Sequence, residues 1–147
     1  MYTVVEGIEE DIESWMKLVK NVRWNFPGLE TEQALEEYKN TVIKFMGQKR
    51  AICVKKENEV IGVLLFSHKY NMICCLAVSP NYRNQGIASK LLLYALDKLD
   101  RTKIITVSTF REDDEKGIAP RALYKKYGFI VNDAKFFSKD IDMDEIL

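Results

Sequence analysis

The chain has 147 residues, 47% of them hydrophobic and 30% charged, a balance that suits one domain over residues 1–147 whose core needs no disulfide or metal. Its 22 Lys and Arg cancel its 22 Asp and Glu, so no global field draws it to nucleic acid or to a membrane. Recognition must therefore come from a local site.

Met1 to Glu6 has no basic stretch followed by a long apolar one, and the longest apolar runs are only strand-length, so the expected location is cytoplasmic. Tyr2 to Val5 reads as a short strand. Ile12, Trp15, Met16, Val19 and Val22 then recur at helical spacing behind the acidic first turn Glu9-Glu10-Asp11. Pro27-Gly28 breaks that helix. Thr31 is a plausible N-cap for a second one, which carries Leu35, Tyr38, Val42, Phe45 and Met46 on one face and stops at Gly47.

Ala51 to Lys55 and Val60 to Phe66 read as a hairpin around the polar turn Lys56-Glu57-Asn58-Glu59. The single histidine, His68, has no ligand or nucleophile at useful spacing and belongs to a surface or a loop. Met72 to Val78 lacks polar alternation, as a central strand covered on both faces would. Neighbouring residues on a strand point to opposite faces, so Cys74 and Cys75 are not expected to share a pocket. With Cys53 they make an odd set of three, read as reduced and mostly buried thiols rather than a disulfide framework or metal site.

Ser79-Pro80 ends the strand, and a polar loop, Asn81 to Gln85, leads into the longest helix, with Ala88, Leu91, Leu92, Ala95 and Leu99 as its buried stripe. Lys103 to Thr109 reads as a strand. A short helix from Pro120 to Gly128 follows, then two short strands, Phe129 to Val131 and Lys135 to Ile141. The order β-α-α-β-β-β-α-β-α-β-β defines an α/β class with a central mixed sheet flanked by helices.

The chemistry concentrates where the central strand turns into the long helix. The first turn of a helix leaves backbone N–H groups unpaired at the positive end of its dipole, a place that suits an anion such as a pyrophosphate. Gly86 and the small Ala88 let an anion approach the main chain, and Arg83 adds a charged donor. Read by itself, the loop fits an ordinary strand–helix connection as well as an anion site. It lacks the spacing of a phosphate loop and the three glycines of a dinucleotide fingerprint.

Arg83-Asn84-Gln85-Gly86-Ile87-Ala88, led in by Val78-Ser79-Pro80-Asn81-Tyr82, resembles the acyl-CoA loop Q/R-x-x-G-x-G/A of the GNAT N-acetyltransferase superfamily. Ala122-Leu123-Tyr124-Lys125-Lys126-Tyr127-Gly128-Phe129 is similar to the second block of that superfamily, in its order and spacing. The resemblance implies a GNAT-like fold and transfer of an acetyl group from acetyl-CoA, the cosubstrate, to a primary amine by direct attack. It also implies a bulged central strand, a splayed neighbour, and a pantetheine arm on the main chain of Leu76, Ala77 and Val78. The pyrophosphate would then lie on Gln85, Gly86, Ile87, Ala88 and Ser89, beside Arg83 and Asn84. The Leu76 N–H would polarise the thioester carbonyl, and Tyr124 would protonate the departing thiolate. Acceptor contacts fall to the first helices and their loop, here Trp24, Phe26 and Tyr38.

Three features depart from the family pattern. Met72 to Val78 carries no acid to act as base, which leaves Glu30, Glu32 or a water chain. Gly117 stands where the family often has an asparagine. The residues after Phe129 are few, so a second copy of the chain, as in a homodimer, is one way to complete the pocket. The alternative function is an acyl-CoA sensor that binds without catalysis. Neither reading needs a metal.

Overall fold

The structure, a computed structural model, describes residues 2–22, 29 and 31–107. Among these residues five strands form one sheet in the order β1 (Val4–Glu6), β2 (Ala51–Lys56), β3 (Glu59–Ser67), β4 (Met72–Val78) and β5 (Thr106–Val107). Neighbours are antiparallel except β4 and β5, which are parallel. Among the described residues three helices cover the sheet: α1 (Ile12–Val22), α2 (Glu32–Gly47) and α3 (Ile87–Lys98).

The periodicity of each helix decides which face of the sheet it covers. Trp15 and Val19 of α1 and Leu35, Val42 and Phe45 of α2 pack over Cys53, Val63 and Leu65. Ile87, Leu91, Leu92 and Ala95 of α3 cover Ile52, Leu64, Phe66 and Ile73 on the opposite face. Ile87 takes the buried place expected for Ala88, which is half-buried. As its sequence suggested, α2 begins at a capped turn, with Thr31 Oγ1 accepting the Ala34 N–H at 3.0 Å. Asp11 has a larger part than complementing a dipole. It accepts the Ile8 N–H at 3.0 Å and pairs with Lys55 Nζ at 3.1 Å, joining the start of the first helical segment to the end of β2.

Two strand assignments need correction. The β2–β3 turn is two residues long, not four, because Lys56 and Glu59 still pair; Glu57 and Asn58 both take positive φ (53° and 69°), the geometry that matches strand twist in a tight hairpin. The strand expected from Lys103 is Thr106–Val107 among the described residues, since Lys103 N–H is drawn back to Asp100 O in a turn. Residues 108 and 109 lie outside the described residues. So do the Pro27-Gly28 break, the helix from Pro120 and the strands at Phe129 to Val131 and Lys135 to Ile141.

That turn is clasped by Asn71, which sits between β3 and β4 at φ +49°. Its Nδ2 donates to Asp100 O at 2.9 Å and to Ile104 O at 3.1 Å, while its Oδ1 accepts the Asp100 N–H at 2.8 Å. The Asn71 carbonyl also takes the Thr106 N–H. One side chain thus seats β5 against β4. Asn71→Gly keeps the positive φ and removes only the side-chain bonds, so it should cost about 1–2 kcal/mol, and Asn71→Ala slightly more because of the left-handed backbone. Chemical denaturation of the two variants checks both the loss and its order.

Candidate active site

The sheet carries two bulges, and the one in β4 shapes the site. Leu65 pairs with Cys75 and Phe66 with Ile73, which leaves Cys74 as an extra residue. Met72, Cys74, Cys75 and Ala77 therefore face α1 and α2, whereas Ile73, Leu76 and Val78 face α3. This corrects the expectation that Cys74 and Cys75 lie on opposite faces: the bulge resets the alternation between them. A bulged strand is one feature that the family resemblance implied.

Main-chain groups alternate along a strand as side chains do. Ser79 N–H donates to Ile61 O of β3 at 2.8 Å, so the main-chain groups of Ala77 also face β3. Those of Leu76 and Val78 face the other edge. On that edge the parallel ladder with β5 spans Met72 and Ile73, and beyond it β4 has no partner strand among the described residues. Of the three strand residues singled out for a pantetheine arm, Leu76 and Val78 turn their main-chain groups to an edge with no strand partner among the described residues, and Ala77 is engaged with β3.

Past β4, a 3₁₀ turn at Pro80–Tyr82 leads to Arg83, Asn84, Gln85 and Gly86, all exposed. Asn84 has φ +63° and Gly86 φ +80°, and a Cβ added at Gly86 would meet no atom within 4 Å. Gly86 is the residue before α3, and no side chain caps that helix. Lys90 N–H bonds Gly86 O at 3.1 Å, so the ladder closes there. The N–H groups of Ile87, Ala88 and Ser89 in the turn before it have no intrahelical acceptor. The first turn contains no acidic residue. Arg83 stands in the loop, and Lys56 Nζ lies 5.4 Å from the Tyr82 ring centre.

Two supports of this loop were not visible in the sequence. Tyr2 O–H donates to Gln85 Oε1, and Lys90 Nζ donates to Tyr2 O at 2.8 Å, so the N-terminal segment braces the loop from both sides. Gly62 of β3 lies under the first residue of α3: a Cβ there would fall 2.7 Å from Ile87 Cγ2. The missing side chain lets the helix start close to the sheet. Only an isolated glycine inside a strand pattern hinted at such a close approach.

The remaining candidates divide. Tyr38, expected at the acceptor, is buried with 6% exposure; its hydroxyl accepts Trp15 Nε1–H at 3.3 Å and lies 3.4 Å from Cys75 Sγ. It belongs to the same core stripe as Leu35 and Val42, which is why it presents no open surface. Trp24, Phe26, Tyr124, Glu30 and Gly117 lie outside the described residues. Glu32 is exposed at the start of α2, on a cleft of about 440 Å³ between α1 and α2 that Met16, Lys20 and Lys39 also line.

Residues 11–129 match the acetyltransferase (GNAT) family. The chain belongs to that family and is an acetyltransferase. It is similar to a GNAT-family acetyltransferase from Bacillus cereus, with 25% identity and a TM-score of 0.67 over 88% of this chain and 83% of that one. It shares its fold with the PaiA N-acetyltransferase of Thermoplasma acidophilum, solved with coenzyme A, at 18% identity and TM-score 0.68 over 90% and 92% of the two chains. The fold also recurs in AAC(6')-Iy, solved with a bisubstrate analogue, at 14% identity and TM-score 0.62 over 88% and 91%. No curated protein matches the sequence. Among the described residues, no helix is long and apolar enough to cross a membrane, and no group of three metal-ligating side chains gathers.

Burial governs the titration of the thiols. It pushes Cys75 up to about 11 and Cys53 to about 12, and raises Cys74 further with the help of neighbouring Cys75. At neutral pH all three are protonated, so none is poised as a nucleophile. An unfolded cysteine ionises near about 8.5. A raised folded pKa means the thiols favour the folded state fully below that value and lose this contribution as pH climbs through about 11 and beyond. Native protein at pH 8 should therefore show almost no thiol reactive toward a disulfide reagent and all three after denaturation, and its thermal midpoint should fall from about pH 8.5 upward. Fast titration of native thiols would contradict the burial.

Proposed function

We propose that the chain, working as one domain, transfers an acetyl group from acetyl-CoA to a primary amine by direct attack. The observation that carries this is the junction of β4 and α3: an outward-facing main-chain edge at Leu76 and Val78 leads, through a 3₁₀ turn and a short exposed loop, to an uncapped helix start behind a left-handed glycine. A pantetheine arm carries two amides and can add to such an edge as a strand would. Its pyrophosphate then reaches the N–H groups of Gly86 to Ser89, where the helix dipole and Arg83 favour negative charge. The coenzyme A complex of a protein with the same fold supports this reading.

With the arm in place, the Leu76 N–H hydrogen-bonds the thioester carbonyl and strengthens that bond as the oxygen gains charge. The amine attacks the carbonyl carbon, the C–S bond breaks, and the thiolate takes a proton. Tyr124 is the proposed donor, by resemblance of its block to the family. With values of about 8.5 for a thiol and about 10 for tyrosine, the transfer is only modestly uphill. Protonated thiols at Cys53, Cys74 and Cys75 agree with direct attack rather than an acyl-cysteine. β4 carries no carboxylate, so the amine's proton leaves to a group on another element or through water. Trp24 and Phe26 are the proposed acceptor contacts.

Two substitutions test the parts separately. At Gly86 a side chain projects into open space, so Gly86→Glu should leave the fold largely intact and reduce acetyl-CoA affinity at least tenfold by occupying the anion's place. Gly86→Asn, which tolerates positive φ, controls for backbone strain of about 1–2 kcal/mol. An undiminished rise in melting temperature on adding acetyl-CoA to Gly86→Glu would refute the anion site. Tyr124→Phe should lower turnover by about 10²–10⁴-fold with acetyl-CoA affinity little changed. Release of free CoA thiol with a panel of primary amines reads this, and unaltered turnover in the folded variant removes Tyr124 as the acid.

A further inference from the structure

The β4 bulge has a polar latch behind it. Trp15 Nε1–H can only donate, and it donates to the Tyr38 hydroxyl at 3.3 Å. The Tyr38 hydroxyl is also 3.4 Å from Cys75 Sγ, and one of the two supplies the proton between them. All three side chains are buried, with exposures of 0%, 6% and 5%. They lie in the core between α1, α2 and β4.

Cys75 is the residue immediately after the bulge, and its side chain faces Tyr38 only because Cys74 has shifted the alternation. Without that shift Cys75 would face α3, Leu76 would face α1 and α2, and the Leu76 N–H would turn from the open edge toward β3. The Tyr38 hydroxyl would then lose its sulfur partner inside an apolar core, where an unmade hydrogen bond is costly. The polar chain and the bulge therefore favour the same register.

We propose that the chain Trp15–Tyr38–Cys75 holds the β4 bulge and so aims the Leu76 N–H at the thioester carbonyl, which makes Tyr38 a positioning residue acting through Cys75. This rests on the proposed role of Leu76. Tyr38 touches neither cosubstrate nor acceptor in this assignment.

Acetyl-CoA has the thioester carbonyl and free CoA does not, so the ratio of their affinities reports the aim of Leu76 without any need to know the acceptor. Calorimetry with both ligands on Tyr38→Phe should show the affinity for acetyl-CoA falling relative to that for CoA by about fivefold, the scale of one neutral hydrogen bond. Cys75→Ala should shift the ratio alike, whereas Cys75→Ser, which can still bond the Tyr38 hydroxyl, should restore most of it. Val42→Ala loosens the same core without touching the chain and should leave the ratio at its wild-type value. An unchanged ratio in folded Tyr38→Phe and Cys75→Ala overturns the proposal, and so does an equal shift in Val42→Ala. Wild-type protein that binds neither ligand would instead overturn the cofactor site itself.

Discussion

One extra residue in β4 governs the geometry on which the site depends. Cys74 has no partner on β3, and from that point every side chain and every main-chain group of β4 changes side relative to an unbulged strand. The half of the strand before the bulge pairs with β5 on its outer edge. The half after it turns the amides of Leu76 and Val78 to that same edge, past the last described β5 partner. A single irregularity thus serves two ends: it directs donors outward and brings two buried cysteines onto the α1 and α2 side. The start of α3 is placed by a second local choice, the absence of a side chain at Gly62.

Much of this was legible in the sequence because local signals and burial agree. The stripes of α1 and α2, the Thr31 cap, the stop at Gly47 and the limits of β4 all appear where periodicity and turn chemistry put them. The Arg83 to Ala88 block signalled a strand–loop–helix junction, and the structure adds the left-handed glycine and the uncapped first turn. The resemblance to GNAT acetyltransferases, carried by that block and the one around Tyr124, agrees with the family match over residues 11–129.

What sequence could not disclose depends on contacts between distant segments. The phase slip between Cys74 and Cys75 is invisible in an apolar run, because no polar residue marks which face is which. Tyr38 looked like a pocket aromatic because its hydroxyl's partners, Trp15 and Cys75, lie 23 and 37 residues away. Nothing in the sequence marks Asn71, and only the fold shows that it grips the α3–β5 connection. The shorter strand at Thr106–Val107 follows from that grip, which local β propensity near Ile104 and Ile105 does not register.

The bracing of the loop before α3 by Tyr2 has a practical bearing on how the protein is handled. The two ties, hydroxyl to Gln85 and carbonyl to Lys90, hold residue 2 against the loop and first turn of α3. Residues joined ahead of it, such as a purification tag, begin their path next to the loop. A charged extension there puts charge within reach of the proposed pyrophosphate place, where an acidic one would compete with the anion and a basic one would attract it. If the proposed site holds, apparent acetyl-CoA affinity is then partly a property of the added residues, and preparations that differ only at that end are not interchangeable in binding measurements.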